Sequence, residues 1–253
     1  MLAAVLATAA VSGCKSRGDE FDMKGTPESI QKQANRDLAN GNFPAAIQRL
    51  ELLEARYPFS EPARQGQIDL IYAYYKNREA ESAIDQADQF IRENPTHPRV
   101  DYAWYIKGLV NFERNPNVLE RWFRADLTAR PPQEATASFQ AFKTLLERYP
   151  NSEYAHDARQ RMVFLRNRLA DYEVHVADYY LRRRAFVAAA NRAKFCIENY
   201  DGSPAVQQAL DVMASAYEGM GLMDLATDVR NVYALNFPDQ RPTRDNDPWW
   251  KLW

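Results

Sequence analysis

The stretch RYPFSEPARQGQIDLIYAYYKNREAESAIDQADQFIRENP, Arg56–Pro95, decides the fold. It opens on Tyr57-Pro58, carries Leu70, Tyr74, Ala83, Ala87 and Phe90 at helical spacing, and closes on Asn94-Pro95. A proline just past an apolar helical run ends the helix, because its ring blocks the preceding turn and it brings no N–H. The same closure returns at Tyr149-Pro150 and Phe237-Pro238, and in weakened form at Tyr200-Asp201. Closing positions 58, 95, 150, 201 and 238 are separated by 37, 55, 51 and 37 residues. With only 9 glycines and no alternating Val/Ile/Thr runs, a sheet is disfavoured. The chain therefore reads as all-α, a solenoid of five helix pairs.

Two of the intervals lie close to the ~34 residues of a tetratricopeptide repeat, and the residue types agree with that pattern. The second repeat places Leu70, Tyr74, Ala83, Ala87, Phe90 and Pro95 on its consensus positions, and the first supplies Ala34, Gly41, Phe43, Ala46 and Pro58. Trp104, Gly108, Phe142 and Pro150 mark the third, Ala177, Tyr180, Phe186, Ala189 and Ala193 the fourth, and Ala214, Tyr217, Gly221, Ala226 and Pro238 the fifth. Small residues sit where helices must approach closely and large ones fill the gaps between them.

The long intervals locate the irregularities. Extra residues between Gly108 and Ser138, with Asn115-Pro116 and Arg130-Pro131-Pro132 among them, predict a loop at 114–133 inserted between paired helices. No glycine or proline occurs from Asn151 to Tyr200. The second surplus is therefore expected to lengthen a helix, running from about Ser152 to Arg183. Residues 26–150 then form the first three repeats and 151–238 the last two.

Upstream, Leu2 to Val11 is apolar and rich in small residues and runs into Val11-Ser12-Gly13-Cys14. This resembles a bacterial lipobox, which implies a signal peptide at 1–13, removed before Cys14, and a lipidated tether at 14–25. The run is too short to span a bilayer. No basic residue precedes it, which fits a start site placed too late. The expected covalent group is a diacylglycerol with an N-acyl chain on Cys14, and Lys15 after it fits sorting to the outer membrane. Each buried CH₂ of an acyl chain contributes ~0.8 kcal/mol to anchoring. Cys196 has no intramolecular partner left and reads as a small buried residue. Downstream, 239–253 is a polar linker ending in Trp249-Trp250-Lys251-Leu252-Trp253. That tail either is a floppy end without a role or docks on a partner, on a membrane interface or back on the chain, the groove included.

Catalysis finds no support. His97, His156 and His175 lack zinc-ligand spacing, and there is no phosphate-binding glycine loop, nucleophile elbow or Cys/His dyad. His97 lies in a turn and is expected to cap a helix. No metal or cofactor is expected apart from the lipid. A formal net charge of −2 gives no global attraction to nucleic acid. Binding remains, and in a repeat of this kind the groove is lined by the first helix of each pair. Its second, fifth, ninth, twelfth and thirteenth positions are Gln65, Ile68, Tyr72, Tyr75 and Lys76 in the second repeat. They are Tyr102, Tyr105, Leu109, Phe112 and Glu113 in the third, and Gln208, Asp211, Ser215, Glu218 and Gly219 in the fifth. The early groove is thus aromatic and suits an extended peptide with aromatic side chains of its own, whereas the late one is polar. Tyr72 and Tyr75 also fit a second reading, as packing between neighbouring repeats. Arg182, Arg183 and Arg192 form a candidate docking surface. Arg192 in particular has the small neighbours Ala189, Ala190 and Ala193, a setting in which a guanidinium could meet a partner's carboxylate.

The lipobox, the tether and the stretches RYPF (56–59), DLIYAYYKN (69–77), NPTHP (94–98), YPNS (149–152), VFL (163–165) and Asn191-Arg192 together resemble the BamD family, tetratricopeptide lipoproteins of the outer-membrane β-barrel assembly machinery. The resemblance implies a scaffold without catalysis, anchored by lipid to the periplasmic face of the outer membrane. It implies that the first repeats receive the C-terminal targeting strands of unfolded β-barrel proteins. The last repeats would hold the POTRA domains of the barrel subunit BamA, with Arg192 as the leading candidate for a salt bridge to it. Other lipoproteins of the machinery would attach as well. The alternative is another periplasmic lipoprotein of the same repeat type that bridges envelope or peptidoglycan-related complexes. The Arg- and Trp-rich insertion and the tryptophan tail depart from the family pattern.

Overall fold

A computed structural model describes residues 25–113 and 132–239. Ten helices account for nearly all of them: α1 (Pro27–Ala39), α2 (Phe43–Arg56), α3 (Glu61–Lys76), α4 (Ala80–Glu93), α5 (Val100–Glu113), α6 (Gln133–Arg148), α7 (Ala155–Arg182), α8 (Phe186–Asn199), α9 (Ala205–Gly219) and α10 (Met223–Asn236). There is no strand among the described residues. The lipobox, the tether up to residue 24, residues 114–131 and the tail from 240 lie outside them. Helix α6 begins at Gln133, so the inserted stretch stops at Pro132 and not at 133.

The start of the fold is written in two residues. Thr26 caps α1 by accepting a hydrogen bond from the Ser29 N–H at 3.4 Å, and Pro27 occupies the first turn, where no N–H is missed.

In the four pairs whose turns are described, the turn repeats one backbone solution. Gly41, Arg78, Arg184 and Gly221 have φ of 73°, 63°, 58° and 76°. From that left-handed bend the next residue's N–H reaches back to the last turn of the finished helix: Asn42 to Asp37 O, Glu79 to Tyr74 O, Ala185 to Tyr180 O, Leu222 to Tyr217 O. Every second helix then ends on an aromatic or amide residue of nearly constant conformation. Tyr57, Asn94, Tyr149, Tyr200 and Phe237 have φ between −126° and −131°. Five copies of one ending confirm five repeats.

Packing follows the same rhythm. Each helix packs on the next, and first helices also touch across repeats (α1 on α3, α3 on α5, α7 on α9), while second helices make no comparable contact with one another. A row whose members touch lies on the inside of a curved stack, so the first helices form the inner wall. Close approach requires glycine at two points. A Cβ on Gly108 would overlap the Phe142 ring, and one on Gly219 the Phe186 ring. Ser138, fully buried, donates to Gly108 O at 2.8 Å and fixes α6 on α5.

The 28-residue α7 matches the expected long helix, shortened at its start by a turn at Ser152. Its first half buries Ala158, Leu165 and Leu169 in the core that runs from α3 to α6. Its second half buries Ala170, Val174 and Ala177 in the core shared with α8 and α9. One rigid rod thus belongs to both halves of the solenoid. Cys196 is fully buried in the second core, its Sγ 3.7 Å from Ala170 O, and desolvation pushes its thiol pKa up to about 12.

Candidate functional site

The aromatic positions read from the repeat register are half-buried or better on the inner helices. On α3, Tyr72 meets Phe43 of α2 edge-on with centroids 6.2 Å apart, and Lys76 Nζ lies 5.9 Å from the Tyr72 ring. Tyr75 Oη donates to Glu113 at 2.6 Å and so spans from α3 to α5. This tyrosine therefore packs between neighbouring repeats. A cavity of about 360 Å³ opens beside it, lined by Tyr75, Arg78, Ala80, Val110 and Glu113.

The inner row is loosest between α5 and α7, and side chains bridge it. Tyr105 stacks on Tyr154 at 4.6 Å and donates to Asp157 Oδ2 at 2.8 Å. Tyr102 lies 5.5 Å from the same Tyr154, under the guanidinium of Arg99 at 4.9 Å. Further along, Phe112 meets Phe164 at 5.7 Å and carries the Arg161 guanidinium at 4.8 Å, and Arg161 pairs with Asp157. Half of Phe164 remains exposed.

The electrostatics keep these rings neutral. Burial first, and the Asp157 hydrogen bond second, push Tyr105 up to about 12. Burial first and the Glu113 bond second raise Tyr75 well above the usual phenol range, and burial alone dominates for Tyr102. Asp157 is held below the ordinary carboxylate range. Burial opposes that shift as the largest single influence, but Arg161 and the Tyr105 hydroxyl together outweigh it. The surface offers flat apolar faces flanked by fixed cations. Cation–π contacts of this kind hold the rings and the guanidinium groups in fixed relative positions.

Three of the register positions do not line anything. Ile68, Leu109 and Asp211 are 2 %, 6 % and 2 % exposed and belong to the interior. The reason is that a helix packed on both neighbours turns a wider arc inward than a fixed set of positions allows. Conversely, the register misses Tyr154, Asp157, Arg161 and Phe164. Counting the fourth repeat from Ala177 assigns no register position between Asn151 and Ala177, where the surplus residues fall, although the first half of α7 carries rings that meet those of α5. The signal is present in the sequence as Tyr154 and Phe164, the first at the N-cap of α7 and the second in its third turn.

The proposed docking arginines are engaged at home. Arg192 Nη1 donates to Glu173 Oε2 at 2.9 Å, with the arginine side chain 46 % exposed and the glutamate 10 %. Arg182 pairs with Asp178 at 3.2 Å, and Arg183 lies 5.0 Å over the Tyr179 ring. His97 Nδ1 accepts from the Arg99 N–H at 3.1 Å, just before α5, and its ring meets Phe90. Among the described residues, no group of histidines, cysteines or carboxylates could hold a metal ion, and no helix is long and apolar enough to cross a membrane.

A family model described as YfiO, outer membrane lipoprotein, matches residues 23–232. The chain belongs to that family. An outer membrane protein assembly factor BamD from Neisseria meningitidis serogroup B is 37% identical over 257 residues, covering 100% of this chain and 96% of that protein. A BamD from Vibrio cholerae is 39% identical, covering 93% and 97%, and one from Xylella fastidiosa 37% identical, covering 99% and 84%. Among solved structures, the crystal structure of MamA protein aligns with 83% of this chain and 90% of that one at 17% identity, with a TM-score of 0.36, too loose a likeness to carry an argument. The YfiO match ends inside α10 and leaves the tryptophan tail beyond it.

Proposed function

We propose that this YfiO-family chain is a non-catalytic scaffold in outer-membrane protein assembly, lipid-anchored through Cys14 at the periplasmic face. Its inner wall over α3, α5 and the first half of α7 receives the targeting strands of unfolded outer-membrane β-barrel proteins. The observation that carries this reading is the seam where Tyr102, Tyr105 and Tyr154 meet under Arg99, continued by Phe112, Phe164 and Arg161. It is a run of neutral rings along one wall, on a chain whose relatives are named as assembly factors. The test is binding of peptides copied from the C-terminal strands of β-barrel proteins, read by fluorescence anisotropy. Tyr72→Ala with Tyr105→Ala lowers affinity tenfold or more while the helical circular dichroism is kept; unchanged affinity moves the site elsewhere.

The last two repeats dock the POTRA domains of BamA in this reading. Arg192 takes part with donors left over, since a guanidinium has five N–H groups and Glu173 occupies one. Companion Bam lipoproteins attach to the remaining surface.

A further inference from the structure

Helix α10 packs mainly on α9, and an apolar stripe on it has no cover among the described residues. Leu225, Val232 and Leu235 are 45 %, 45 % and 82 % exposed, and their spacing of seven and three residues puts them on one face. Leu222, 44 % exposed, extends the same side at the start of the helix. Asp228 falls inside the stripe by the same spacing. It is exposed, and no cation among the described residues pairs with it. An exposed apolar row with a single carboxylate in it calls for an occupant that is mostly apolar and carries one positive charge.

We propose that the occupant is this chain's own segment Trp249-Trp250-Lys251-Leu252-Trp253, folded back along α10. Three arguments favour it. The first is composition: the segment has three indoles and a leucine around one lysine, the complement of three leucines and a valine around one aspartate. The second is reach. From Asp239 to Trp249 the chain spans ten residues, at most ~36 Å when extended, whereas the 14-residue α10 is ~21 Å long. The segment therefore reaches every residue of the stripe with slack. The third is the closure itself. The linker leaves from the end of the helix that bears the stripe, so the loop to be closed is short, while the aromatic wall of α3 and α5 lies several helices away. Trp249, Trp250 and Trp253 supply apolar area that the polar linker before them lacks.

The inference does not depend on the client-binding reading, and its test is separate. A photoreactive benzoylphenylalanine replaces Trp250 in the full mature chain, which is irradiated both purified and in intact cells, and the crosslinked peptides are mapped by mass spectrometry. The expected product is intramolecular and joins residue 250 to the peptide that contains 222–235. The triple variant Leu225→Ser, Val232→Ser, Leu235→Ser alters only exposed positions and lowers that product at least fivefold. Crosslinks to α3 or α5 would place the tail in the aromatic groove and overturn the proposal. Crosslinks only to other polypeptides, or a yield that the triple variant leaves unchanged, would overturn it equally.

Discussion

At the scale of single residues, the turn between paired helices is the most exacting position in the repeat. Left-handed backbone costs an L-residue ~1–2 kcal/mol, and the solenoid accepts that at Arg78 and Arg184 while using glycine at Gly41 and Gly221. Arg78→Gly is therefore expected to stabilise the protein by about 0.5–1 kcal/mol, and Gly41→Ala to destabilise it by a similar amount, both read from urea unfolding. Gly108→Ala faces the Phe142 ring directly and should cost about 1–3 kcal/mol. The buried thiol makes a different prediction. Cys196, with its pKa raised by desolvation, stays unmodified by a thiol reagent in the native protein and reacts once the chain is unfolded; labelling at the native rate of an exposed cysteine would show an open core. Titration at the seam works from both ends of the pH scale. Asp157, with its depressed pKa, contributes stability above the ordinary carboxylate range that is lost as pH falls through its folded value. Tyr105, raised to about 12, contributes stability that is complete below ~10 and lost as pH rises toward that raised value. Tyr105→Phe should remove this tyrosine's share of the alkaline loss, leaving that of Tyr75 and Tyr102, and keep the stacked ring in place.

At the scale of elements, α7 joins two cores. A proline at the exposed Asp171 removes one intrahelical hydrogen bond and clashes with the preceding turn, at ~3 kcal/mol or more. Asp171→Pro should split the urea transition in two, with amide protection in α8–α10 lost before that in α3–α5. A single transition shifted as a whole would mean that the halves are coupled by contacts other than this rod. The helix is legible in the amino-acid order itself, because a run from Asn151 to Tyr200 without glycine or proline leaves few alternatives. Its role is not. A repeat register anchored at Ala177 rests on a pattern of small and large residues, which marks where helices cross but not which half of a long helix faces inward. For the same reason Asp211 reads as a groove residue from its register position, and only the packing of α9 between α8 and α10 shows it buried. The helix pairs and their ends are legible because they rest on local chemistry, a threonine cap and a proline stop, and so are the turns at Gly41 and Gly221, whereas the left-handed turns at Arg78 and Arg184 carry no such signal.

At the scale of the whole molecule, the aromatic seam runs over α3, α5 and the first half of α7, while Arg182, Arg183 and Arg192 lie in the last two repeats. The second half carries a complication for testing. Arg192→Glu both removes a docking cation and sets a new carboxylate against Glu173, which is 10 % exposed. Glu173→Gln is the control: it keeps Arg192 in place and the pocket neutral. Association with BamA POTRA domains, measured by pull-down, should fall for Arg192→Ala and persist for Glu173→Gln. Equal loss in both would make the pair a folding contact only.

The most direct measurement is photocrosslinking in living cells from the position of Tyr102, at the centre of the ring seam, with the same probe at exposed Leu235 for comparison. Client capture by the inner wall predicts adducts with unfolded outer-membrane β-barrel proteins from residue 102 and not from residue 235. The same adducts from both positions, or from residue 235 alone, would contradict it.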